Sequence, residues 1–388
     1  MTRSTRLEVD LDAIAHNLRS LRAFMSERGA RPPKIATVLK ANAYGMGAVR
    51  VAGALLEAGA DMLAVACLPE ALELRAAHPE ARILVMGHTP DEYLPEAVRA
   101  GIALTLFELA QARIVSREAV AAKRPCELHV KADTGMNRLG LKPGEGSAEF
   151  FSALAGLPGL KLEGLFTHLA LRDALSDRRQ FELFERITRE AAEAGLSFPT
   201  RHVCDSIGLM RYPEFRLDMV RAGALLYGVR PLRAPGGERL EVHTPFALKT
   251  KVSRIARIDE GEGVGYDTSY KAPPGGALIA TLPIGYADGY LRALSNKAEV
   301  LIRGQRAKVV GLVCMDQVMV DVTGVPGAFA GDEVLLLGES PEGSIGVMEL
   351  ADWALTNRNE IISAIGRRVP RAYFSRGAAA GEVDYLLS

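Results

Sequence analysis

The segment PKIATVLKANAYGMG, residues 33–47, decides the fold of the N-terminal half of this chain. Its first part predicts a strand, Ile35–Lys40, in which Ala36, Val38 and Lys40 share one face because successive side chains alternate. In a barrel of parallel strands this face points inward, which puts Lys40 at the rim where barrel enzymes hold their catalytic groups. A buried ammonium needs a partner, so Lys40 is either a covalent catalyst or a rim lysine paired with a nearby acid.

Seven further apolar, β-branched runs follow this strand, and amphipathic stretches such as Arg178–Ala194 alternate with them. Gly59, Gly101 and Gly195 are placed as stops at the ends of three of these stretches. The predicted strands are Ile35–Lys40, Met62–Cys67, Ile83–Met86, Ala103–Phe107, Glu127–Ala132, Leu162–His168, His202–Cys204 and Met219–Ala222. Eight β–α units predict an α/β fold with an N-terminal (β/α)8 barrel of the TIM type over residues 1–235. A doubly wound sheet is the alternative, but the glycine fingerprint expected after its first strand is missing.

The pattern changes at Arg230–Leu240, a segment rich in proline, glycine and arginine that is typical of a linker. Beyond it, runs with period-two alternation are separated by turns that contain Gly, Pro and Asp. The predicted strands are Ala247–Ile258, Ala277–Leu282, Glu299–Ile302, Lys308–Val322 and Glu333–Leu337. The sequence therefore predicts a C-terminal, mainly β domain over residues 236–388.

Composition narrows the classes to which this protein can belong. Lys+Arg and Asp+Glu both number 47, and this balance argues against a nucleic-acid-binding protein or a membrane-surface binder. The N-terminus lacks the apolar region of a signal peptide and no apolar run is long enough to span a membrane, so we expect a cytoplasmic protein. The four scattered cysteines form no CxxC pair and the seven histidines form no HxH or HExxH motif, so no metal site is predicted.

The segment that contains Lys40 resembles the cofactor-lysine segment of the alanine racemase family, which are fold-type III pyridoxal-phosphate enzymes. Seven further segments resemble the family in the same order along the chain. They are HVKADTGMNRLG (129–140), THLALRD (167–173), VCDS (203–206), MVRAGALLYG (219–228), GVGYDTSY (263–270), GYADGY (285–290) and CMDQVMVD (314–321). Because these segments fall in both predicted domains, the resemblance covers nearly the whole chain and implies the family's fold, cofactor and isomerase activity.

The resemblance implies that pyridoxal 5'-phosphate is bound covalently through Lys40. The other cofactor-binding residues that it implies are Tyr44, His168, Ser206, Arg221, Gly223 and Ala224. Barrels often bind phosphate after strands seven and eight, and Ser206 and Gly223 follow these two predicted strands. Arg221 stays protonated and can only donate to a neutral ring nitrogen, which favours racemisation over transamination. Taken alone, Ser206 is also typical of a turn cap, and His168 of a satisfied core histidine that the family would place against Arg221.

Racemisation needs one base on each face of the α-carbon, and the resemblance assigns these roles to Lys40 and Tyr266. In the family the tyrosine comes from the second subunit, so a homodimer with shared active sites is implied. The substrate-binding residues implied by the resemblance are Arg138, Met315 and Tyr286. Lys131 matches a lysine that is often carbamylated in the family and then orients the arginine, which here is Arg138.

Two positions depart from the family's pattern. Asn359 stands where members usually have a tyrosine, and Leu312 stands where many have an arginine. The smaller, polar Asn359 predicts a roomier pocket that also accepts serine, so a serine or broad-specificity racemase is the alternative to an alanine racemase. A fold-type III decarboxylase would need a glycine-rich phosphate loop, and a non-catalytic cofactor carrier would not need the β domain, so both are less well supported.

Overall fold

Eight parallel strands form a barrel in the N-terminal part of the chain, seen in a computed structural model that describes residues 3–26, 32–230 and 240–387. The barrel strands are Lys34–Val38, Met62–Val65, Ile83–Val85, Ala103–Leu106, Cys126–Lys131, Leu160–Phe166, Thr200–His202 and Met219–Ala222. Each strand pairs with its neighbour in chain order up to Thr200–His202, and the first strand pairs with Met219–Ala222. Two backbone hydrogen bonds, one of them from the Arg221 N–H to the Cys204 carbonyl at 3.0 Å, bring the remaining two strands together. The predicted eight-stranded barrel is confirmed.

Amphipathic helices cover the outside of the barrel because each buries one apolar face against the strands. The helices are Leu11–Ser26, Ala48–Glu57, Leu68–Ala77, Leu94–Arg99, Leu109–Ala121, Glu145–Ala155, Ala174–Glu193 and Gly208–Arg211, with single 3₁₀ turns at Asp91–Tyr93, Pro213–Phe215 and Ala224–Tyr227. The predicted helix Arg178–Ala194 starts four residues earlier, since the Asp173 side chain accepts the Ser176 N–H at 2.8 Å and caps it. The three predicted glycine stops all have positive φ angles, as helix C-termini often require.

The C-terminal part folds into a second, mainly β domain, as predicted. Its strands are Phe246–Lys251, Arg254–Ile258, Gly263–Val264, Tyr270–Lys271, Ala277–Leu282, Glu299–Ile302, Gln305–Val309, Val318–Asp321, Glu333–Ser340, Gly343–Ile345, Arg371–Ser375 and Ala378–Val383. The helices Val347–Ala354 and Arg358–Ser363 and the 3₁₀ turns Tyr266–Thr268, Tyr286–Asp288 and Arg292–Leu294 connect them. All of these strands except the small pair Gly263–Val264 and Tyr270–Lys271 belong to one sheet.

Two of the predicted strands in this domain were drawn too long. Residues 247–258 form two strands because the chain changes partner at Val252 and Ser253, whose N–H groups bond to the Asp332 and Thr281 carbonyls. Residues 308–322 are likewise interrupted, by a loop over 310–317. A tight turn in this loop, closed by the Cys314 N–H on the Gln317 carbonyl at 2.9 Å, lifts Met315 to the surface.

The first strand of the chain, Arg6–Asp10, lies in the second domain, where sequence analysis assigned residues 1–235 to the barrel. It pairs with Phe246–Lys251 on one side and, in parallel, with Arg371–Ser375 on the other. The two ends of the chain are therefore joined in one sheet. The predicted boundary at residue 235 and most of the predicted linker Arg230–Leu240 lie outside the described residues.

No helix in the part of the chain that the structure describes combines the length and the apolar character that crossing a membrane requires.

Candidate active site

Lys40 follows the first barrel strand and opens an unusual turn at the C-terminal rim. The next four residues, 41–44, all have left-handed backbone angles, with φ between 53° and 55°. Such a conformation costs roughly 1–2 kcal/mol for each residue with a side chain, so the surrounding structure must hold it. We conclude that the fold stores strain where the predicted covalent lysine is attached.

Three side chains from distant parts of the chain hold this turn. The Glu70 carboxylate accepts the Ala41 N–H at 2.6 Å and the Ala66 N–H at 2.9 Å. From the second domain, the fully buried Arg371 guanidinium donates to the Gly45 carbonyl at 2.9 Å, and the Tyr373 hydroxyl donates to the Met46 carbonyl at 3.1 Å. The second domain therefore positions the turn that carries Lys40.

The turn forms one wall of a cavity of about 360 Å³ at the C-terminal end of the barrel, a volume within the usual range for small-molecule sites. Of the predicted site residues it is lined by Lys40, Tyr44, Lys131, Arg138, His168, Ser206, Arg221, Gly223 and Ala224, together with Asn359. These residues come from five separate strand ends and one helix of the second domain. The structure thus gathers residues that lie up to 319 positions apart in the sequence.

One end of the cavity offers neutral hydrogen-bond donors. The Ser206 hydroxyl oxygen accepts the Gly223 N–H at 3.0 Å, so its own proton remains free for a ligand. A Cβ atom on Gly223 would lie 2.7 Å from the Tyr44 hydroxyl, so only glycine leaves this space open. Burial raises the pKa of Tyr44 to about 12, which keeps its hydroxyl protonated as a donor.

Arg221 lies on the last barrel strand and is almost fully buried. Its two terminal nitrogens donate to the carbonyls of Thr167, His202 and Val203 at 2.8–2.9 Å and contact the Nδ1 atoms of His168 and His202. No hydrogen bond within the described residues uses its Nε–H, although the residue lines the cavity. Burial lowers the pKa of Arg221 to about 10, so the side chain is still a cation near neutral pH.

The histidine and the lysine beside Arg221 both have lowered pKa values. Burial and the Arg221 charge lower the pKa of His168 to about 2, and its Nδ1 acts as acceptor because arginine can only donate. Burial, Arg221 and Arg138 lower the pKa of Lys131 to about 7, and its ammonium nitrogen lies 4.4 Å from the centre of the Phe166 ring. Lys40 stays accessible from the cavity, yet nearby protein atoms and the Arg138 charge lower its pKa too.

Three predicted site residues are not part of this cavity. The side chains of Tyr266, Met315 and Tyr286 are 70%, 53% and 42% exposed, on the surface of the second domain. Met315 and Tyr286 are neighbours, since the backbone between them is joined by hydrogen bonds from the Tyr286 N–H to Cys314 and from the Ala287 N–H to Met315. A single chain therefore presents these groups outward.

Several residues of the site were not predicted from the sequence. Glu70 accepts the N–H of Ala41 beside Lys40, and the His202 carbonyl accepts from Arg221. No local motif indicates such contacts between distant residues. Arg358 and Asp205 also line the cavity. Arg358 adjoins Asn359, and Asp205 lies inside the segment 203–206 that supplies Ser206, so both are sequence neighbours of residues that the motifs had assigned.

Outside the cavity, the ligand atoms of His16, Glu241 and His243 lie within 4.8 Å of one another on the surface. A search for short spacing motifs does not find this group because His16 is far away in the sequence. None of the three residues lines the cavity.

Taken together, the barrel, its rim lysine and the buried arginine form a cavity at the rim where barrel enzymes hold their catalytic groups. Comparison with known proteins identifies the family. The alanine racemase N-terminal domain matches residues 9–231, and the alanine racemase C-terminal domain matches residues 246–373. The chain belongs to the alanine racemase family, and the predicted isomerase is confirmed.

Individual relatives match this chain along nearly its full length. The chain is 38% identical to an alanine racemase of Clostridium perfringens, covering 98% of this chain and 97% of the relative. It is 41% identical to one of Desulfovibrio desulfuricans, covering 94% and 97%. Among solved structures, the alanine racemase of Clostridium difficile 630 has a TM-score of 0.92 at 36% identity over 100% of both chains. That of Bacillus anthracis with bound L-Ala-P has a TM-score of 0.89 at 34% identity, covering 99% and 98%.

Proposed function

We propose that this protein is a pyridoxal-phosphate-dependent racemase that interconverts L- and D-alanine. The observation that carries the proposal is the buried Arg221, which lines the cavity and whose Nε–H is used by no hydrogen bond within the described residues. A guanidinium cannot give up its proton to a ring nitrogen, whereas an aspartate partner would keep that nitrogen protonated. A neutral ring nitrogen favours return of the proton to the α-carbon, as racemisation requires.

The described residues fit pyridoxal 5'-phosphate, which when bound makes the α-proton of an amino acid acidic by withdrawing electrons. Lys40 would hold it covalently, and Arg221, supported by His168, would donate to its ring nitrogen. Tyr44, Ser206 and the N–H groups of Gly223 and Ala224 would hold its phosphate. The missing Cβ at Gly223 is the observation that tests this fit, since any side chain there would collide with the Tyr44 hydroxyl.

Two bases would move the α-proton. Lys40 supplies the base on one face, and its lowered pKa increases the fraction of neutral amine that can accept a proton. We assign the base on the other face to Tyr266 of the partner subunit, because within one chain this phenol is exposed and does not line the cavity. The homodimer is therefore part of the proposal, with each site completed by the second domain of the other copy.

The substrate carboxylate would be bound by Arg138, with the Met315 N–H and Tyr286 contributed across the same subunit interface. Lys131 supports Arg138 in this proposal. Because its pKa is lowered to about 7, a large fraction of its amine is neutral and able to combine with carbon dioxide. The resulting carbamate would replace a buried cation between Arg138 and Arg221 by an anion that holds Arg138 in place.

The cytoplasm remains our proposed location. The described chain carries its four cysteines as free thiols, Cys67, Cys126, Cys204 and Cys314, and two of them are buried. Free thiols are typical of a reducing compartment.

Serine is the second candidate substrate, and a broad-specificity racemase is the wider form of this alternative. Asn359 lines the cavity, where its amide is able to bond to a hydroxyl. Leu312 lies in the same loop as Met315 and is partly buried, so the second departure from the family's pattern adjoins the surface that the partner would meet. Alanine is retained as the main substrate because Lys40, Arg138 and Arg221 all line the cavity beside Asn359.

The test is exchange of the α-proton in deuterated water, followed separately for the L and D forms of alanine and serine. Each base faces one side of the α-carbon, so Tyr266→Phe should abolish racemisation but stop exchange for only one enantiomer. Lys40→Ala should stop both. The loss for Tyr266→Phe should be about 10²–10⁴-fold, the usual contribution of one general base.

Tyr93→Phe is the matched control, since Tyr93 is an exposed tyrosine, 51% accessible, in a 3₁₀ turn that does not line the cavity. Asn359→Tyr should lower the rate with serine relative to alanine, and an unchanged ratio would remove the argument for serine. If the cofactor-loaded protein exchanges the α-proton of no amino acid, the protein is a non-catalytic carrier of the cofactor. Release of carbon dioxide would instead identify a decarboxylase.

A further inference from the structure

The proposed phosphate end of the cavity has a charge problem. Its assigned donors, Tyr44, Ser206 and two backbone N–H groups, are all neutral. A phosphate monoester carries about −1.5 to −2 charges at neutral pH. The Asp205 carboxylate lines the same cavity beside Ser206 and adds a further negative charge. Its Oδ1 accepts the N–H groups of Ile207 and Gly208 at 2.8–3.0 Å, which hold the side chain in place. A doubly charged ligand here needs a cation.

Arg358 is a cation that has no anion of its own. It begins the helix Arg358–Ser363 of the second domain, and its Nη1 donates to the Arg230 carbonyl at 2.6 Å. Within the described residues it forms no ion pair closer than 4 Å, although it lines the cavity together with Asp205 and Ser206. Burial lowers its pKa and the Asp205 charge opposes this shift, so the guanidinium is partly withdrawn from water with Asp205 nearby.

The other cations of the cavity already have roles in the proposed function. Lys40 is consumed by the covalent link, Arg221 is directed at the ring, and Arg138 at the substrate carboxylate. Lys131 lies over the Phe166 ring, and its pKa is lowered by burial and by the charges of Arg221 and Arg138. Among the described lining residues, Arg358 is therefore the cation that is left for the phosphate end.

We propose that Arg358 binds an oxyanion at this end of the cavity, and that this oxyanion is the cofactor phosphate. The inference rests on the proposed function for the identity of the cofactor. Its helix packs on the turn that carries Lys40, where a Cβ on Gly45 would lie 2.6 Å from the Ile362 carbonyl oxygen. A phosphate held by Arg358 would therefore tie the second domain to the barrel at the covalent lysine. A carboxylate on the side chain of an acidic substrate offers the same chemistry and is the other source.

The experiment compares two forms of the cofactor on cofactor-free protein. Pyridoxal phosphate and pyridoxal, which lacks the phosphate, are each titrated into wild type, Arg358→Gln and Arg358→Lys, and binding is followed by the absorbance of the bound chromophore. Arg358→Gln should weaken binding of pyridoxal phosphate about 10- to 100-fold, the usual effect of a charge-assisted hydrogen bond. Pyridoxal binding should not change, and Arg358→Lys should restore part of the affinity.

Inorganic phosphate should compete with pyridoxal phosphate less well in Arg358→Gln than in wild type. Arg117→Gln is the control, since Arg117 is an exposed arginine on an outer barrel helix, with 70% of its side chain accessible. Equal losses for both cofactor forms would mean a structural role and would overturn the proposal. Unchanged affinities, with lost exchange of aspartate or glutamate, would overturn it in favour of the substrate carboxylate. A wild type that binds neither form would refute the proposed function itself.

Discussion

The two rims of the barrel treat charge in opposite ways. At the C-terminal rim, cations line the cavity and have no ion-pair partner within 4 Å among the described residues: Lys40, Lys131, Arg138, Arg221 and Arg358. At the N-terminal rim, the cations Arg82 and Lys161 each contact both Glu127 and Glu163, at 2.7–3.3 Å. One rim is neutralised by its own side chains, and the other is left positive.

This difference separates function from stability. Paired charges at the N-terminal rim neutralise one another without a ligand, and the N-terminal face of a barrel contributes to stability. Unpaired cations at the C-terminal rim are unfavourable in the free protein and become favourable when anions bind. A phosphate and a carboxylate supply those anions in the proposed function. Substitutions at the C-terminal rim should therefore lower activity with little effect on stability, and substitutions at the N-terminal rim should do the reverse.

The largest effect on activity should come from Lys40→Met. The variant loses both the covalent link and one base, so exchange of the α-proton should fall at least about 10⁴-fold. The free energy of unfolding of the cofactor-free protein should stay within about 0.5 kcal/mol of wild type, because Lys40 is accessible and unpaired. Chemical denaturation and the exchange assay measure the two quantities. A loss of more than 2 kcal/mol would show that Lys40 also supports the fold.

Glu127→Gln should give the reverse profile. Despite the cost of burial, His129 and Arg82 lower the pKa of Glu127 to about 2, and the Lys161 ammonium lies 3.2 Å from the same carboxylate. A lowered carboxylate pKa stabilises the fold above the unfolded-state value near 4.5, and this contribution is lost as the pH falls toward 2. The variant should lose about 1–3 kcal/mol at pH 7 and less at pH 3, with exchange unchanged within about twofold.

Denaturation at several pH values measures this effect. The isosteric Glu80→Gln is its control, because Glu80 is an exposed glutamate near the same rim. Equal losses at pH 7 and pH 3 would contradict the assignment of the effect to the carboxylate charge.

The smallest effect should be a gain in stability for Lys131→Met in cofactor-free protein and buffer free of carbon dioxide. The pKa of Lys131 is about 7 in the fold and 10.5 as the ordinary value, so the fold binds this proton more weakly than the unfolded chain does. The resulting penalty is fully present below pH 7 and fades as the pH rises toward 10.5. The variant should therefore be more stable by about 1–2 kcal/mol at pH 7, and the difference should vanish near pH 10.

Added bicarbonate should close the same gap at pH 8 by stabilising wild type and not Lys131→Met. Thermal denaturation with and without bicarbonate measures this. If bicarbonate leaves the thermal stability of the wild type unchanged, the proposed carbamate on Lys131 is wrong.

The barrel was predictable because its signals are local. All eight strands were located with ends within two residues, since buried parallel strands appear as short apolar runs bounded by turns. The strand Arg6–Asp10 was missed because its partners lie near positions 250 and 370, and nothing in its own five residues points to them. The two overlong strands failed for a related reason, since a change of partner in the middle of an alternating run leaves the alternation intact.

The site residues show the same difference between local sequence signals and long-range contacts. Motifs located the residues that follow strand ends, and the cavity gathers them. Glu70, His202 and Arg371 were missed because each acts through a hydrogen bond to a distant backbone or side-chain atom, which only the folded chain reveals. Tyr266 and Met315 were found by resemblance, and their exposure in one chain leaves their role to an assembly of two.

The central claim is that two subunits share each active site, and subunit complementation tests this claim. Lys40→Ala and Tyr266→Phe are each nearly inactive as homodimers in this account. Refolded together in equal amounts, half of the dimers are mixed, and each mixed dimer has one site with both bases intact. We predict recovery of about a quarter of wild-type racemisation. Mixed dimers isolated through two different tags that racemise alanine no faster than the parent variants would contradict the account.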